Sequence, residues 1–214
     1  MKVLVTGSSK GIGRSIATKF LDMGHSVIGF DILDSTIDNK NYKHYVQDIC
    51  NDLPDINDIE IIINNAGVQN ADISDIDINL KGTINVTEKY INKSLKSIVF
   101  IASSSASTGS EFPEYAASKG GVVTYMKNVA LRVSKLGATS NSISPGGVIT
   151  DINKHILEND KLYKEVLDET LLNKWCDPEE IAEFVYFISV INKSMTGEDI
   201  LIDNGEKLKS NFVW

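Results

Sequence analysis

Lys2-Val-Leu-Val-Thr6 runs straight into Gly7-Ser-Ser-Lys-Gly11-Ile12-Gly13. The opening run is short, apolar and rich in β-branched residues, the pattern of a parallel strand covered on both faces. Ile12, Ile16, Ala17, Phe20 and Leu21 then recur at helical spacing until Gly24, which reads as a C-terminal cap. The order is strand, glycine turn, helix. Gly7, Gly11 and Gly13 suit a tight turn, a close backbone approach to a ligand, and close helix–strand packing. A helix start at Ile12 offers free N–H groups and a positive dipole end to a pyrophosphate. The spacing is Gly-x-x-x-Gly-x-Gly, so the turn alone is a modest signal. The strand and helix on either side raise it.

Working outward, residues 26–30 read as a second strand ending at Asp31. In a dinucleotide fold, a carboxylate here accepts hydrogen bonds from the adenosine ribose and opposes a 2′-phosphate, which favours NAD over NADP. Lys10 and Arg14 pull the other way. Asp31 weighs more, because a carboxylate buried against a phosphate is costly unless neutralised. Residues 32–41 are too few and too polar for a helical crossover, so a loop is expected. A third strand at 42–46 leads to Asp48, and a fourth at 59–63 enters Asn64-Asn65-Ala66-Gly67. Further strands are expected at 97–102, 138–144 and 199–202. Helices are expected at 78–93, 113–136 and 178–191, the last with Asp177 as N-cap and Pro178 in its first turn. Residues 148–175 give an amphipathic pattern in a polar setting, read as one or two short helices that close over a ligand. Gly120-Gly121, inside the long helix, suggests that another backbone comes close there.

That long helix carries Tyr115-Ala-Ala-Ser-Lys119. Residues four apart share one helix face, so Tyr115 and Lys119 point the same way. A free Tyr titrates near pH ~10 and is a poor base at neutral pH. A fixed ammonium one turn away favours the phenolate and makes the pair a plausible acid/base. The competing reading is a helix surface where an aliphatic stem lies on a ring.

Composition bounds the partners. The chain has 214 residues, 42% apolar and 23% charged, with 21 Lys and Arg against 29 Asp and Glu. The net charge of −8 argues against a nucleic-acid or anionic-membrane footprint. No apolar run approaches the ~18 residues of a membrane span. The N-terminus begins directly in a strand with no secretory leader, so a cytoplasmic protein is expected. Cys50 and Cys176 lack ligand spacing and read as reduced thiols. His25, His44 and His155 are scattered among polar neighbours, so no metal site is expected. There is no repeat, linker or low-complexity run, so residues 1–214 read as one domain with the lid at about 148–175.

Five motifs occur in one order: residues 6–13, Asn64-Asn-Ala-Gly67, the serine strand end at Ser103, Tyr115-x-x-x-Lys119, and Ser144-Pro-Gly146. Asp177-Pro-Glu-Glu-Ile-Ala182 and Leu201-Ile-Asp-Asn-Gly205 add to them. Over nearly the whole chain this order resembles the short-chain dehydrogenase/reductases. The resemblance implies an α/β, Rossmann-type, doubly wound, seven-stranded and mostly parallel sheet with helices on both faces. It implies an NAD(P)(H)-dependent oxidoreductase that interconverts a small-molecule carbonyl and alcohol. Tyr115 would be the acid/base, and Lys119 its pKa-lowering partner and a holder of the nicotinamide ribose. Ser103 would bind the substrate oxygen, with Ser104 as a substitute. Asn79 would anchor a water beside the lysine. Gly7, Gly11, Ile12 and Gly13 would face the pyrophosphate, Asp31 the adenosine ribose and Asp48 the adenine. Asn65, Ala66 and Gly67 would line the middle of the cofactor, and Pro145, Gly146, Val148 and Thr150 its nicotinamide end. A homodimer or homotetramer is implied as well. Other readings are an epimerase or lyase that retains NAD, and a non-catalytic NAD sensor. The segments 32–41 and 68–78 are shorter than usual for the family, which bears on Asn79 and on the adenine pocket.

Overall fold

The computed structural model describes residues 1–110 and 112–209. Residue 111 and residues 210–214 lie outside the described residues. Seven strands form one sheet: β1 (Lys2–Thr6), β2 (Ser26–Asp31), β3 (Tyr42–Val46), β4 (Ile61–Asn64), β5 (Ser97–Ile101), β6 (Thr139–Pro145) and β7 (Asp199–Ile202). Their order is β3-β2-β1-β4-β5-β6-β7, and every pairing is parallel. The expectation of a mostly parallel sheet is thus sharpened to a wholly parallel one.

Alternation within β1 shows how the sheet is covered. Val3 and Val5 enter a core with Ile16 and Phe20 of helix α1 (Gly11–Asp22) and Ile181 and Val185 of α7 (Pro178–Tyr186). Leu4 enters the opposite core, with Val86 of α2 (Thr83–Tyr90) and Val122, Met126 and Val129 of α4 (Pro113–Val133). Successive strand residues face opposite sides, and both sides are apolar because both are covered by helices.

The chain builds outward from β1 to β3, then returns to place β4 beside β1 and builds the other way. That reversal opens a crevice beyond the carboxyl ends of β1 and β4, the usual ligand position in such sheets. Between β2 and β3 the chain forms no helix, as expected of so short a link. The helix expected at 78–93 differs. Residues Ile76–Gly82 form a π-helical stretch that passes into α2, which ends at Tyr90. The helix expected to reach residue 136 ends at Val133 and tightens into a 3-10 turn over Ser134–Leu136. Residues 148–175 contain a 3-10 turn (Asp151–Asn153) and the short helices α5 (Lys154–Leu157) and α6 (Asp160–Asp168). The remaining helix, α3 (Ser105–Thr108), follows β5.

The two glycines of α4 meet different neighbours. A Cβ on Gly121 would lie 2.8 Å from Leu80 Cδ2, and one on Gly120 would come no nearer than 3.7 Å to the Ala106 carbonyl. The Leu80 side chain, from the π-helical stretch, fills the space at Gly121.

Candidate active site

The glycine turn is built by its neighbours. Gly7 has φ +67°, a left-handed conformation that glycine adopts without strain. A Cβ on Gly13 would overlap the Gly7 carbonyl and Asn65 Nδ2. Asn65 Nδ2 donates to Thr6 O (3.0 Å) and Gly7 O (3.2 Å). Thr6 Oγ1 accepts from the N–H groups of Asn65 and Ala66, each at 3.0 Å. One buried threonine hydroxyl therefore joins the first loop to the fourth. Nothing in the β1 pattern distinguished Thr6 from a packing residue, and its role was missed.

Helix α1 begins on this turn. Lys10 is its N-cap with no side-chain cap, and its first turn carries no acidic residue. Gly11, Ile12 and Gly13 supply N–H groups that the helix itself leaves unbonded. Asp31, at the end of β2, accepts from Ser9 N through Oδ2 (2.9 Å) and from Leu33 N through Oδ1 (3.0 Å). Its carboxylate thus sits beside the turn, while Lys10 and Arg14 are exposed. Asp48 is exposed and folds back on its own turn, accepting from Cys50 N (2.8 Å) and Asn51 Nδ2 (3.3 Å). Thr150 lies against the glycine turn, since a Cβ on Gly11 would meet Thr150 Cγ2 at 3.4 Å.

At the other end of the crevice, α4 starts with Pro113 in its first turn and carries Tyr115 and Lys119 along one face. The Lys119 ammonium lies 5.6 Å from the centre of the Tyr115 ring. Lys119 is only 6% exposed. Its Nζ donates to the Ile101 carbonyl at 3.0 Å, at the carboxyl end of β5. Tyr115 is half-buried. A Cβ on Gly67 would meet Asn79 Oδ1 at 3.0 Å and Lys119 Nζ at 3.3 Å, so these two side chains converge on that glycine.

Asn79 projects from the π-helical stretch and is buried. Its Oδ1 accepts from Val68 N (2.7 Å), and its Nδ2 donates to Val68 O (2.9 Å) and Ser118 Oγ (3.0 Å). Both amide hydrogens are used by protein. Ser118 Oγ in turn donates to Tyr115 O at 2.7 Å, linking Asn79 to the backbone of the tyrosine. Ser118 was not singled out from sequence, since a serine on a helix has no signature of such a role.

Ser103 is buried just past β5. Its Oγ accepts from Ser105 Oγ (2.8 Å) and Ser105 N (3.3 Å). With both lone pairs engaged, its own proton is left to point at an outside acceptor. Ser104 differs: its N–H binds Pro145 O at 2.8 Å, which seats the serine loop against β6. Gly146 N donates to Ile202 O at 2.9 Å. Val148 is buried and bridges to Cys176. Trp175 fills the space over Gly147, where a Cβ would overlap the indole.

Gly7, Asp31, Asp48, Asn65, Ser103 and Gly146 lie at or just past the carboxyl ends of β1, β2, β3, β4, β5 and β6. The donor set suits a dinucleotide: an open helix start for a pyrophosphate, a carboxylate beside it for a diol, and an ammonium–phenol pair across the crevice. Among the described residues no cluster of His, Cys, Asp and Glu could hold a metal ion. Both cysteines are free thiols, Cys50 exposed and Cys176 buried. No helix among the described residues is long and apolar enough to cross a membrane.

Comparison with known proteins bears on the family. A family model described as enoyl-(acyl carrier protein) reductase matches residues 38–207. The 3-oxoacyl-[acyl-carrier-protein] reductase FabG of Buchnera aphidicola subsp. Schizaphis graminum is 30% identical over 237 residues, spanning 94% of this chain and 95% of that protein. A short chain dehydrogenase family protein from Francisella tularensis is similar in structure, with a TM-score of 0.85 and 28% identity, covering 97% of this chain and 99% of that one. The aldohexose dehydrogenase of Thermoplasma acidophilum gives a TM-score of 0.86 at 26% identity, covering 100% of this chain and 96% of that one. The wholly parallel Rossmann-type sheet, the order of its loops and these likenesses lead to one conclusion: the chain belongs to the short-chain dehydrogenase/reductase family of oxidoreductases.

Proposed function

We propose that this protein is an NAD(H)-dependent oxidoreductase that interconverts a small carbonyl compound and its alcohol, with Tyr115 as the acid/base. The observation that carries this reading is the buried Lys119 ammonium, 5.6 Å from the Tyr115 ring centre and beside Gly67 and Asn79. Gly7, Gly11, Ile12 and Gly13 would hold the pyrophosphate, Asp31 the adenosine ribose and Asp48 the adenine edge. Asn65, Ala66 and Gly67 would line the middle, and Lys119, Pro145, Gly146, Val148 and Thr150 the nicotinamide end. The N–H groups of Ser9 and Leu33 hold the Asp31 side chain beside the glycine turn, where a carboxylate opposes a 2′-phosphate. NAD is therefore preferred to NADP.

When bound, the dihydronicotinamide supplies the hydride. The chain's own residues supply orientation and the proton. Ser103 points its free proton at the substrate oxygen. The Tyr115 phenol gives its proton to that oxygen as the carbon is reduced, and becomes a phenolate. Lys119 stabilises the phenolate by charge, where charge develops. Asn79 holds the loop at Val68 and, through Ser118, the backbone of Tyr115. Residues 148–175 close over the substrate, with the Val148–Cys176 bridge at their base. Pairing of copies into a dimer or tetramer is part of the same reading.

The test is absorbance at the NADH band, with NADH and a carbonyl panel that includes a 3-oxoacyl thioester, and with NAD and an alcohol panel that includes an aldohexose, where NADH should form, after the activities of the relatives. Consumption of NADH in step with alcohol formation supports the proposal. NADH binding without turnover of any carbonyl would favour a sensor. Substrate rearrangement with no net change in NADH would favour an epimerase or lyase.

A further inference from the structure

The adenosine end of the crevice is walled by a segment with no helix, residues 32–41. A helix would bond its own carbonyls; a loop must find donors elsewhere. For Leu33 they come from the glycine turn and from β3. Leu33 O accepts from His44 Nε2 at 2.8 Å and from Ser9 Oγ at 3.4 Å. Ser9 O accepts from Thr36 Oγ1 at 2.5 Å. His44 Nδ1 lies 3.0 Å from the Tyr42 hydroxyl, which lies 2.9 Å from Ser8 Oγ. The Tyr42–Ser8 contact passes directly over β2, where a Cβ on Gly29 would overlap both oxygens.

The chain of bonds has one consistent polarity. A carbonyl only accepts, so His44 Nε2 carries a hydrogen. With Nε2 protonated in a neutral imidazole, Nδ1 accepts from Tyr42, whose oxygen can then accept from Ser8 Oγ, a hydroxyl that also lies 3.5 Å from Phe30 O. Burial holds the Tyr42 phenol above its usual range, so it keeps its proton. Ser9 and Leu33, the two residues whose N–H groups fix the Asp31 carboxylate, are thus tied to one network.

We propose that Tyr42 and His44 are positioning residues for the adenosine half of the dinucleotide. They clamp the Leu33 loop and the Ser8–Ser9 turn so that Asp31 keeps one orientation, doing with polar bonds what a crossover helix would do by its own rigidity. This rests on the reading of Asp31 as the ribose ligand.

Two half-cofactor probes test it: ADP-ribose, and reduced nicotinamide mononucleotide, which lacks the adenosine. Each is titrated calorimetrically into the wild type, Tyr42→Phe, His44→Ala and His44→Gln. Each substitution removes two of these bonds, and one bond is worth about tenfold in an equilibrium constant, so Tyr42→Phe and His44→Ala should weaken ADP-ribose by about tenfold or more. In His44→Gln the amide again donates to Leu33 O, and affinity should return to within about threefold of wild type. The mononucleotide should bind all four proteins alike, and the loss in turnover should fall on the KM for NADH and not on kcat. If Tyr42→Phe binds ADP-ribose as tightly as the wild type, the proposal is wrong. An equal loss for both probes also overturns it, by showing a general loosening. Should His44→Ala fail to fold, Tyr42→Phe, which keeps its ring, still decides the matter. A wild type that binds no ADP-ribose would instead refute the underlying assignment of Asp31.

Discussion

Replacing Asn79 with Ala removes three hydrogen bonds at once: 2.7 Å from Val68 N, 2.9 Å to Val68 O and 3.0 Å to Ser118 Oγ. A buried hydrogen bond contributes about 1 kcal/mol net, and more when its partner is left unsatisfied. Val68 is only half-buried, so water can recover part of its loss. The sum is about 3 kcal/mol. For a chain of this size that corresponds to a fall in Tm of roughly 6–12 °C. Ser118→Ala, which loses the bond from Asn79 and the 2.7 Å bond to Tyr115 O, should lose about 2 kcal/mol. Because the two residues share a bond, the double variant should lose less than the sum. Urea unfolding of the wild type, both singles and the double measures all of this. A loss under about 1 kcal/mol for Asn79→Ala, or strict additivity, would refute the view that Asn79 ties the Gly67–Val68 turn to α4. Activity offers a second readout, since a tyrosine backbone freed from Ser118 should lower kcat more than it raises the KM for NADH.

Other substitutions test separate parts of the account. Gly13→Ala would press a methyl group into Gly7 O and Asn65 Nδ2; overpacking of this kind costs about 1–3 kcal/mol, and NADH affinity by fluorescence titration should fall tenfold or more. Unchanged affinity would remove the glycine turn from the pyrophosphate site. Asp31→Ser takes away the carboxylate that opposes a 2′-phosphate; two like charges near 4 Å in a surface environment are worth a few kcal/mol, so the ratio of KM for NADPH to that for NADH should fall at least tenfold. A constant ratio would place Asp31 away from the ribose. Glu88 accepts from both Arg132 Nη atoms at 2.6 Å and from the Tyr125 hydroxyl at 2.7 Å, and the guanidinium holds its carboxyl below the usual 4.5. A carboxylate with a depressed folded value stabilises the fold above its unfolded pKa and loses that contribution as pH falls through the folded one. Glu88→Gln should therefore flatten the decline in urea midpoint below about pH 4.5, and an identical decline in both proteins would show that the pair is silent.

The parts that were legible in the sequence are those governed by local periodicity. The doubly covered strand Lys2–Thr6 could be read because both faces are apolar. The bare 32–41 link could be read because it is too short for a helix. Tyr115 and Lys119 could be placed on one face because their spacing is one helical turn. The π-helical stretch Ile76–Gly82 was not legible as such, because its wider turn breaks the 3.6-residue stripe and its buried members are Asn79 and Gly82. Contacts assembled from distant segments were also invisible. Thr6 with Asn65, Asn79 with Ser118, and Ser8 with Tyr42 and His44 meet only after the sheet has formed. The Gly120-Gly121 pair illustrates the limit from the other side: close packing there was foreseen, but which neighbours make it, the Leu80 side chain at Gly121 and the Ala106 carbonyl 3.7 Å from a Cβ on Gly120, was not.

The central claim is that one phenol beside a buried ammonium moves the proton. Tyr115→Phe tests it most directly, with NADH affinity measured by fluorescence and single turnover followed with an accepted carbonyl. The account predicts affinity within about twofold of wild type and a rate lower by the ~10²–10⁴ expected of a lost general acid. A variant that binds NADH and still reduces the carbonyl within tenfold of the wild-type rate would contradict it.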